Sequence, residues 1–583
     1  MKLSDYVIKF LEEKGIKHAF AISGGGCMHL IDSLGKSDII DYVCNHHEQA
    51  SAMAAEGYYR MSGKVAACIV TTGPGGTNTL TGVMGAWTDS IPVIFISGQV
   101  QRHQLSEGTG CRQVGDQEFD IVSIMKNTTK FATRVDDENN IRYILEKAHS
   151  IATTGRPGPV WIDIPLDIQP KEIDTSSLKE YQDNYVSPSP SIVDTHNIVD
   201  LLLRSKKPVL VLGSGIRLSG AEEILFSFLD KFKIPVVTGP HSAVDIVNET
   251  YEHYCGRIGV LGQRSSNKII QNCDLMISIG SRLGVKMTGY KYEAFAKNAY
   301  KIMVDIDENE MNKYNIHVDL KVKSDCFNFL EALMGSANLL HDDLFNIKDW
   351  HSYCKDLRSK EQYVFDKHRN YKGYASNYCF VEGLSELVPE NVPTITSNGS
   401  AHVITLQTMS LSGKQRLFTN VGCASMGYGL PAAIGACVSN NNSKTICIEG
   451  DGSLQMNIQE LQTVVHHALP MIIFVINNGL YLSIKRTQEN YFNSRYVATS
   501  IDSGISSPDL KKIADAYGIE YISINNNSQI HDGIKHCLET TKPIICEVFT
   551  NPDEKHEPKV TAVLNKDGSF SPGELTDMKI EGV

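Results

Sequence analysis

The 583-residue chain reads as an α/β protein whose sheets are parallel. Three observations predict this. Short β-branched apolar runs alternate with helical patterns from one end to the other. The runs are apolar at nearly every position, as expected of strands covered on both faces. Most close on Gly, Asn, Asp or Ser, where a chain can turn into the next helix. A chain of this length is also too large for one core, and about three or four domains are expected.

The elements follow in order. The opening MKLSDYVIKFLEEKGIKHAF sets apolar residues at helical spacing with acidic residues among them, so it reads as mature protein and not as a secretory signal. VAACIVTTG, IPVIFISG and GPVWIDIP follow as strands of a first unit. The stretch from 165 to 194, rich in Pro, Ser and charge, breaks the pattern. KPVLVLGSG, CDLMISIG and KIMVDID supply a second set, and the highly charged region around 335 to 375 carries no strand signal. KTICIEGDG, MIIFVINNG and PIICEVF supply a third. The expected units are therefore 1–175, 190–335 and 370–550, with a tail over 551–583. No short-period repeat is visible, although the first and third units can share a fold.

Composition narrows the function. With 42% hydrophobic and 21% charged residues and no apolar run of membrane-spanning length, a soluble globular protein with no membrane partner is expected. A net charge of -12 gives no electrostatic reason for nucleic acid, which leaves a small-molecule partner. The 14 cysteines are scattered without a CxxC pair. They read as buried thiols of a reducing, cytoplasmic compartment, not as a structural metal cluster.

The stretch IEGDGSLQMNIQELQTVVHHALPMIIFVINNG carries the chemistry. Asp451 follows one predicted strand, and Asn478 ends the next, 27 positions on. In an open parallel sheet, ligands sit at the carboxyl ends of strands. A carboxylate, an amide oxygen and a nearby loop carbonyl are hard ligands suited to Mg²⁺, which keeps room for phosphate oxygens. Gly450 and Gly452 let backbone N–H groups approach a diphosphate, and SLQMNIQELQTVVHH can begin a helix whose N-terminus favours anions. A lone GDG is equally a tight turn, but its Asn-Asn partner at a second strand end points to a metal–diphosphate site.

GDGS followed by NN resembles the signature of the thiamine diphosphate (ThDP) enzymes, among them acetolactate synthase, pyruvate oxidase and benzoylformate decarboxylase. HHEQASAMAAEGYYRMSGK, TTGPGGTNTLTGVMGAWTDSIPVIFISGQV, TGRPGPVWIDIPLDI and GCASMGYGLPAAIGA extend the resemblance over most of the chain, with the best match to the acetolactate synthase branch. The resemblance implies three doubly wound parallel-sheet domains: pyrimidine-binding, central and diphosphate-binding. It implies Asp451, Asn478 and the Leu480 carbonyl as Mg²⁺ ligands, and Asn398, Gly399, Ser400, Gly450, Gly452, Ser453 and Leu480 as cofactor contacts. Glu48 becomes the carboxyl that holds a proton at N1′ of the aminopyrimidine, its pKa raised by burial. By the same resemblance Met426 would wedge beneath the cofactor, and the Ala424 carbonyl would accept from the 4′-amino group. Gly25 and Gln117 face the reacting carbon, while Thr72 and Asn78 line the cofactor. VLGSGIRLSG and GSRLGVKMTG partly resemble a flavin-binding segment, which makes FAD an expectation for the central unit with Arg282 against it.

The sequence also departs from that branch. Thr487 stands where the biosynthetic enzymes place a pocket-shaping tryptophan, with Leu482 and Ser483 nearby; Asp116 replaces a phenylalanine and Asp136 a lysine. A roomier, more polar acceptor pocket is expected. The leading expectation is a carboligase that decarboxylates a 2-oxo acid, pyruvate above all, and transfers two carbons to a carbonyl acceptor such as a nucleotide-linked ketosugar of surface polysaccharide synthesis. The alternatives are acetolactate synthase itself and a simple decarboxylase; a non-catalytic scaffold predicts loss of the cofactor residues, which are present. The family's assembly implies a homodimer or homotetramer with sites between subunits.

Overall fold

Every run predicted as a strand forms one, and every one of them lies in the interior of its sheet. The computed structural model describes residues 1–240, 243–337, 346–479, 481–565, 567 and 569–580. The first sheet comprises β1 His18–Ala21, β2 Asp41–Cys44, β3 Ala67–Val70, β4 Ile94–Gln99, β5 Phe131–Arg134 and β6 Val160–Pro165. The second holds β7 Pro208–Leu212, β8 Val236–Thr238, β9 Tyr254–Arg257, β10 Leu275–Ile279, β11 Tyr300–Asp305 and β12 Leu320–Lys323. The third holds β13 Thr394–Thr396, β14 Leu417–Phe418, β15 Thr445–Gly450, β16 Met471–Asn477, β17 Glu520–Ile524 and β18 Ile544–Phe549.

The strand orders are β2-β1-β3-β4-β6-β5, β12-β11-β10-β7-β8-β9 and β14-β13-β15-β16-β18-β17, with parallel pairing throughout. Renumbered within each sheet, the first and third share the order 2-1-3-4-6-5, so these two units have one topology. The second, read from its β9 edge, is 3-2-1-4-5-6. Each order reverses direction beside its first strand, and ligands of such sheets bind at that reversal. It falls between β1 and β3, between β7 and β10, and between β13 and β15. The loops leaving those strands are Ser23–Cys27 and Thr71–Asn78, Gly213–Gly215 and Gly280–Gly284, and Ser397–Ser400 and Asp451–Ser453.

Packing joins the units. The helix Glu48–Ser62 lies against the helix Gly429–Ser439, and their residues share one hydrophobic core. The approach is so close that a Cβ at Gly57 would overlap the Ala432 carbonyl oxygen, and one at Gly435 the Ala54 carbonyl oxygen. Small residues on both faces permit this. Arg416 ties all three units, donating to Asp245 Oδ2 (2.6 Å) and to the backbone oxygens of Met61 (3.1 Å) and Arg60 (2.6 Å). Burial works to raise the Asp245 pKa, but Arg217 and Arg416 outweigh it and hold the carboxyl below the ordinary range.

After β18 the chain returns to the central unit, where Val560 N donates to Val260 O (3.0 Å) and Leu575 enters the core. Among the described residues no helix is long and apolar enough to cross a membrane. All the cysteines except Cys44, Cys111 and Cys423 are buried.

Candidate cofactor and active site

The third sheet brings the two predicted metal ligands together by register. Gly450 pairs with Ile476 across β15 and β16, so Asp451 and Asn478 leave adjacent strand ends side by side. Both side chains are buried. The Asn478 amide donates to Ser400 Oγ (3.1 Å), while its Oδ1 has no hydrogen-bond partner. A buried acceptor left unpaired costs about 1–3 kcal/mol, and a cation beside Asp451 would remove that cost. The residues present therefore fit Mg²⁺. Leu480, whose carbonyl is the expected third ligand, lies outside the described residues.

The GDGS turn differs from expectation in two ways. The long helix predicted after it is split into Asp451–Leu454 and Leu461–His466, because Asn457 leaves helical geometry and donates to Gly427 O (2.7 Å). Little of the expected helix dipole therefore reaches a diphosphate. The Ser453 hydroxyl, expected on the cofactor, is held by Ser397 Oγ (2.6 Å) and by Gly427 N (2.9 Å), which leaves only its backbone for a ligand. Gly450 caps the short helix, and a Cβ at Gly452 would overlap the ring of Tyr481.

The loop after β13 meets the segment before the helix Gly429–Ser439. Asn398 donates from Nδ2 to the Ala424 carbonyl (3.2 Å), the same carbonyl expected to accept from an aminopyrimidine. A carbonyl has two lone pairs and can serve both. Ala424 has φ 49°, a left-handed conformation that turns its carbonyl out of the chain direction. Met426, two residues on, is half-buried beside it. Gly399, with φ +63°, stands next to Ser483, so the helix Leu482–Tyr491 flanks the loop.

In the first unit Glu48 is the first residue of its helix, and its Oε2 accepts from Asn78 Nδ2 (2.9 Å). Burial of Glu48 was expected; within one chain it is only half-buried, and Asn78 is exposed. Thr72 departs from expectation, since its buried hydroxyl donates to Gly98 O (3.0 Å) and braces the loop from behind. Gly25 is exposed and open above its Cα. Gln117 has φ 60°, and its carbonyl lies so near Gly73 that any Cβ there would overlap it. That contact brings the 106–117 loop, with exposed Asp116, back to the Thr71–Asn78 loop. Asp136 is bonded by Arg134 Nε (2.6 Å).

On the expected acceptor side, Thr487 is exposed on the helix Leu482–Tyr491, its hydroxyl returned to Ser483 O (3.1 Å); Ser483 is exposed and Leu482 buried. In the central unit a cavity of about 240 Å³ opens at the reversal between β7 and β10. Gly215, Ser281, Arg282, Gly284 and Lys286 line it, and Gly284 has open space where a side chain would stand. Arg282 donates to Thr88 O (2.8 Å) in the first unit.

Three further residues were not anticipated. Tyr481 covers the GDGS turn. Glu449 lies buried beneath it, its pKa raised by burial, and its Oε1 accepts from Leu430 N (3.1 Å). His556, beyond the last strand of the third sheet, stands 2.9 Å from Ser400 Oγ.

Three domains of one family match the three units in order. Residues 1–124 match the thiamine pyrophosphate enzyme N-terminal TPP binding domain, 195–333 the central domain and 397–548 the C-terminal TPP binding domain. The acetolactate synthase isozyme 2 large subunit of Escherichia coli (strain K12) is 33% identical over 564 residues, covering 96% of this chain and 97% of that protein. The acetolactate synthase large subunit of Pyropia yezoensis is 31% identical, covering 94% and 91%. A probable acetolactate synthase large subunit of Methanocaldococcus jannaschii is 30% identical, covering 95% and 93%.

Proposed function

Since the chain belongs to the thiamine pyrophosphate enzymes, in their acetolactate-synthase-like branch, we propose that it joins a two-carbon unit from pyruvate to a second molecule of pyruvate, forming acetolactate. The protein is a ThDP- and Mg²⁺-dependent 2-oxo acid decarboxylase and carboligase. The acetolactate reading rests on the relatives' names, and it stands ahead of the ketosugar acceptor expected from the sequence. The observation that carries the cofactor assignment is the buried pair Asp451 and Asn478 at adjacent strand ends, with Asn478 Oδ1 unpartnered.

ThDP, when bound, supplies the electron sink for loss of CO₂ and carries the remaining two carbons. The rest is the protein's work. Asp451 and Asn478 would hold Mg²⁺, which would anchor a diphosphate; Leu480, the expected third ligand, lies outside the described residues. Asn398, bonded to the Ala424 carbonyl, would hold it for the aminopyrimidine, with Met426 beneath the cofactor. Glu48, steadied by Asn78, would hold and return a proton at N1′ of a bound aminopyrimidine, and Gly25 and Gln117 would border the reacting carbon. The central cavity, with Arg282 and Gly284 at its edge, is where FAD would sit if this unit binds it.

A pyrimidine-end carboxyl works best desolvated, and half-buried Glu48 gains that cover from a second copy of the chain. Leu80, Met84 and Trp87, exposed along one face of the helix Leu80–Thr88, support a homodimer with a site at each interface. The buried thiols favour a cytoplasmic setting.

One observation favours a second reading. Exposed Thr487 leaves the acceptor side without a bulky wall, which suits a larger carbonyl compound such as a nucleotide-linked ketosugar. Incubation of the enzyme with pyruvate alone and with each candidate acceptor, followed by mass spectrometry, separates the readings. Acetolactate from pyruvate alone supports the first. Two-carbon extension of an added ketosugar with no acetolactate supports the second, and acetaldehyde at one rate with every acceptor refutes both.

A further inference from the structure

An asparagine that ligates a metal has a wrong end. Its two amide termini have nearly the same shape, so the packing around Asn478 does not decide whether oxygen or nitrogen meets the cation; hydrogen bonds must. We propose that His556 is a positioning residue for Asn478, acting through Ser400 to fix which end of the amide faces the metal. The inference rests on the magnesium reading of this site.

The direction of each bond carries the argument. Asn478 Nδ2 donates to Ser400 Oγ at 3.1 Å, and Ser400 Oγ is 2.9 Å from His556 Nε2. The hydroxyl has one hydrogen. Burial first, with the charges of Lys559 and Arg486 adding to it, lowers the His556 pKa to about 4, so the imidazole is neutral, and in its Nδ1-protonated tautomer Nε2 accepts from Ser400. The Ser400 hydrogen then points to His556, and its lone pairs are left for Asn478. Only a nitrogen can answer them, so Oδ1 is the end left for a cation, and it is found without another partner. A flipped amide would set Oδ1 against a hydroxyl with no hydrogen to give, and would offer NH₂ to a cation.

The segment that carries His556 is anchored for this task. The Glu554 carboxyl accepts from Ser376 Oγ (2.6 Å) and Asn377 N (2.9 Å), while Glu557 N donates to Tyr378 Oη (2.6 Å). Lys367 pairs with Glu557 (2.6 Å). Asn377 also donates from Nδ2 to Ser400 O (3.3 Å), so one residue holds both the histidine's segment and the serine's backbone. Ser400 was expected to contact the cofactor; here its hydroxyl is engaged between Asn478 and His556.

The test uses the full chain with saturating ThDP and Mn²⁺ as a paramagnetic stand-in for Mg²⁺, titrated by electron paramagnetic resonance. Partners that orient a metal ligand typically account for about 10–100-fold in affinity. His556→Ala and Ser400→Ala should each weaken Mn²⁺ by about that factor. His556→Gln should recover most of the loss, because its amide oxygen can accept from Ser400. In an Asn478→Asp background the His556→Ala effect should shrink to less than about threefold, since a carboxylate has no wrong end. Unchanged Mn²⁺ affinity in folded Ser400→Ala and His556→Ala overturns the inference, as does a His556→Ala loss that is equal with and without the Asn478→Asp substitution. If His556→Ala does not fold, His556→Phe, which keeps a ring but cannot accept from Ser400, takes its place in both comparisons. Wild-type protein that binds no Mn²⁺ with ThDP overturns the cofactor reading, a failure distinct from unchanged variants.

Discussion

Asn478→Ala should separate the stability of the empty protein from that of the loaded one. In the empty chain the side chain gains one hydrogen bond, Nδ2 to Ser400, worth about 1 kcal/mol, and carries the unpaired Oδ1, which costs about 1–3 kcal/mol. Removing both terms, and leaving Ser400 one donor short, nearly cancels, so unfolding free energy without cofactor should change by less than about 2 kcal/mol. With ThDP and Mg²⁺ the balance is different. A ligand at about 100 times its dissociation constant stabilises by about 2.7 kcal/mol, equivalent to roughly 5–10 °C for a domain of the third unit's size. Differential scanning fluorimetry with and without ThDP and Mg²⁺ reads both quantities. The expected result is a near-wild-type melting temperature for the empty variant with the cofactor-dependent rise abolished. A large loss of stability in the empty variant, or a full rise on adding cofactor, would refute the reasoning.

Other perturbations address other parts of the structure. Glu48→Gln should keep the fold and bind ThDP while turnover falls about 10²–10⁴-fold, because an amide cannot exchange a proton with N1′; steady-state kinetics beside calorimetry checks it. Gly435→Ala puts a Cβ into the Ala54 carbonyl oxygen and should cost about 1–3 kcal/mol, read as a lower urea midpoint. The Asp245 pKa is lower folded than unfolded, so its contribution is complete above the unfolded value of about 3.9 and is lost as pH falls below it. Asp245→Asn should therefore lower stability at neutral pH and flatten the acid limb of a melting-temperature profile. Thr487→Trp should raise the share of acetolactate when pyruvate competes with a larger acceptor, measured as a product ratio.

The division between what could be read in the sequence and what could not has a physical basis. β15, β16 and β18 are covered on both faces and therefore spell unbroken apolar runs. The edge strands β5, β12 and β17 are part-exposed, and FATR, LKVK and EYISI carry no such run. β1 and β13 are largely buried, but HAFA opens on a histidine and holds no β-branched residue, and TIT is only three residues long. At the site, Asp451 and Asn478 were legible because both follow strong strands. The inward turn of the Thr72 and Ser453 hydroxyls was not, since a loop sequence does not state which neighbour a hydroxyl finds. His556 sits in NPDEKHEPK, a charged stretch that reads as surface tail, and only folding brings it to Ser400, 156 positions away. The close contact of the two glycine-bearing helices was likewise hidden, because GLPAAIGACV suggests a buried helix without naming its partner.

The central claim is that this chain binds ThDP through a metal held by Asp451 and Asn478. Isothermal titration of ThDP into the wild-type protein and into Asp451→Ala, each with Mg²⁺ and with chelator, tests it most directly. The account predicts one ThDP per chain for the wild type, binding only with Mg²⁺, and little or none for Asp451→Ala under either condition. Equal ThDP affinity in the two proteins, or wild-type binding that does not depend on Mg²⁺, would contradict it.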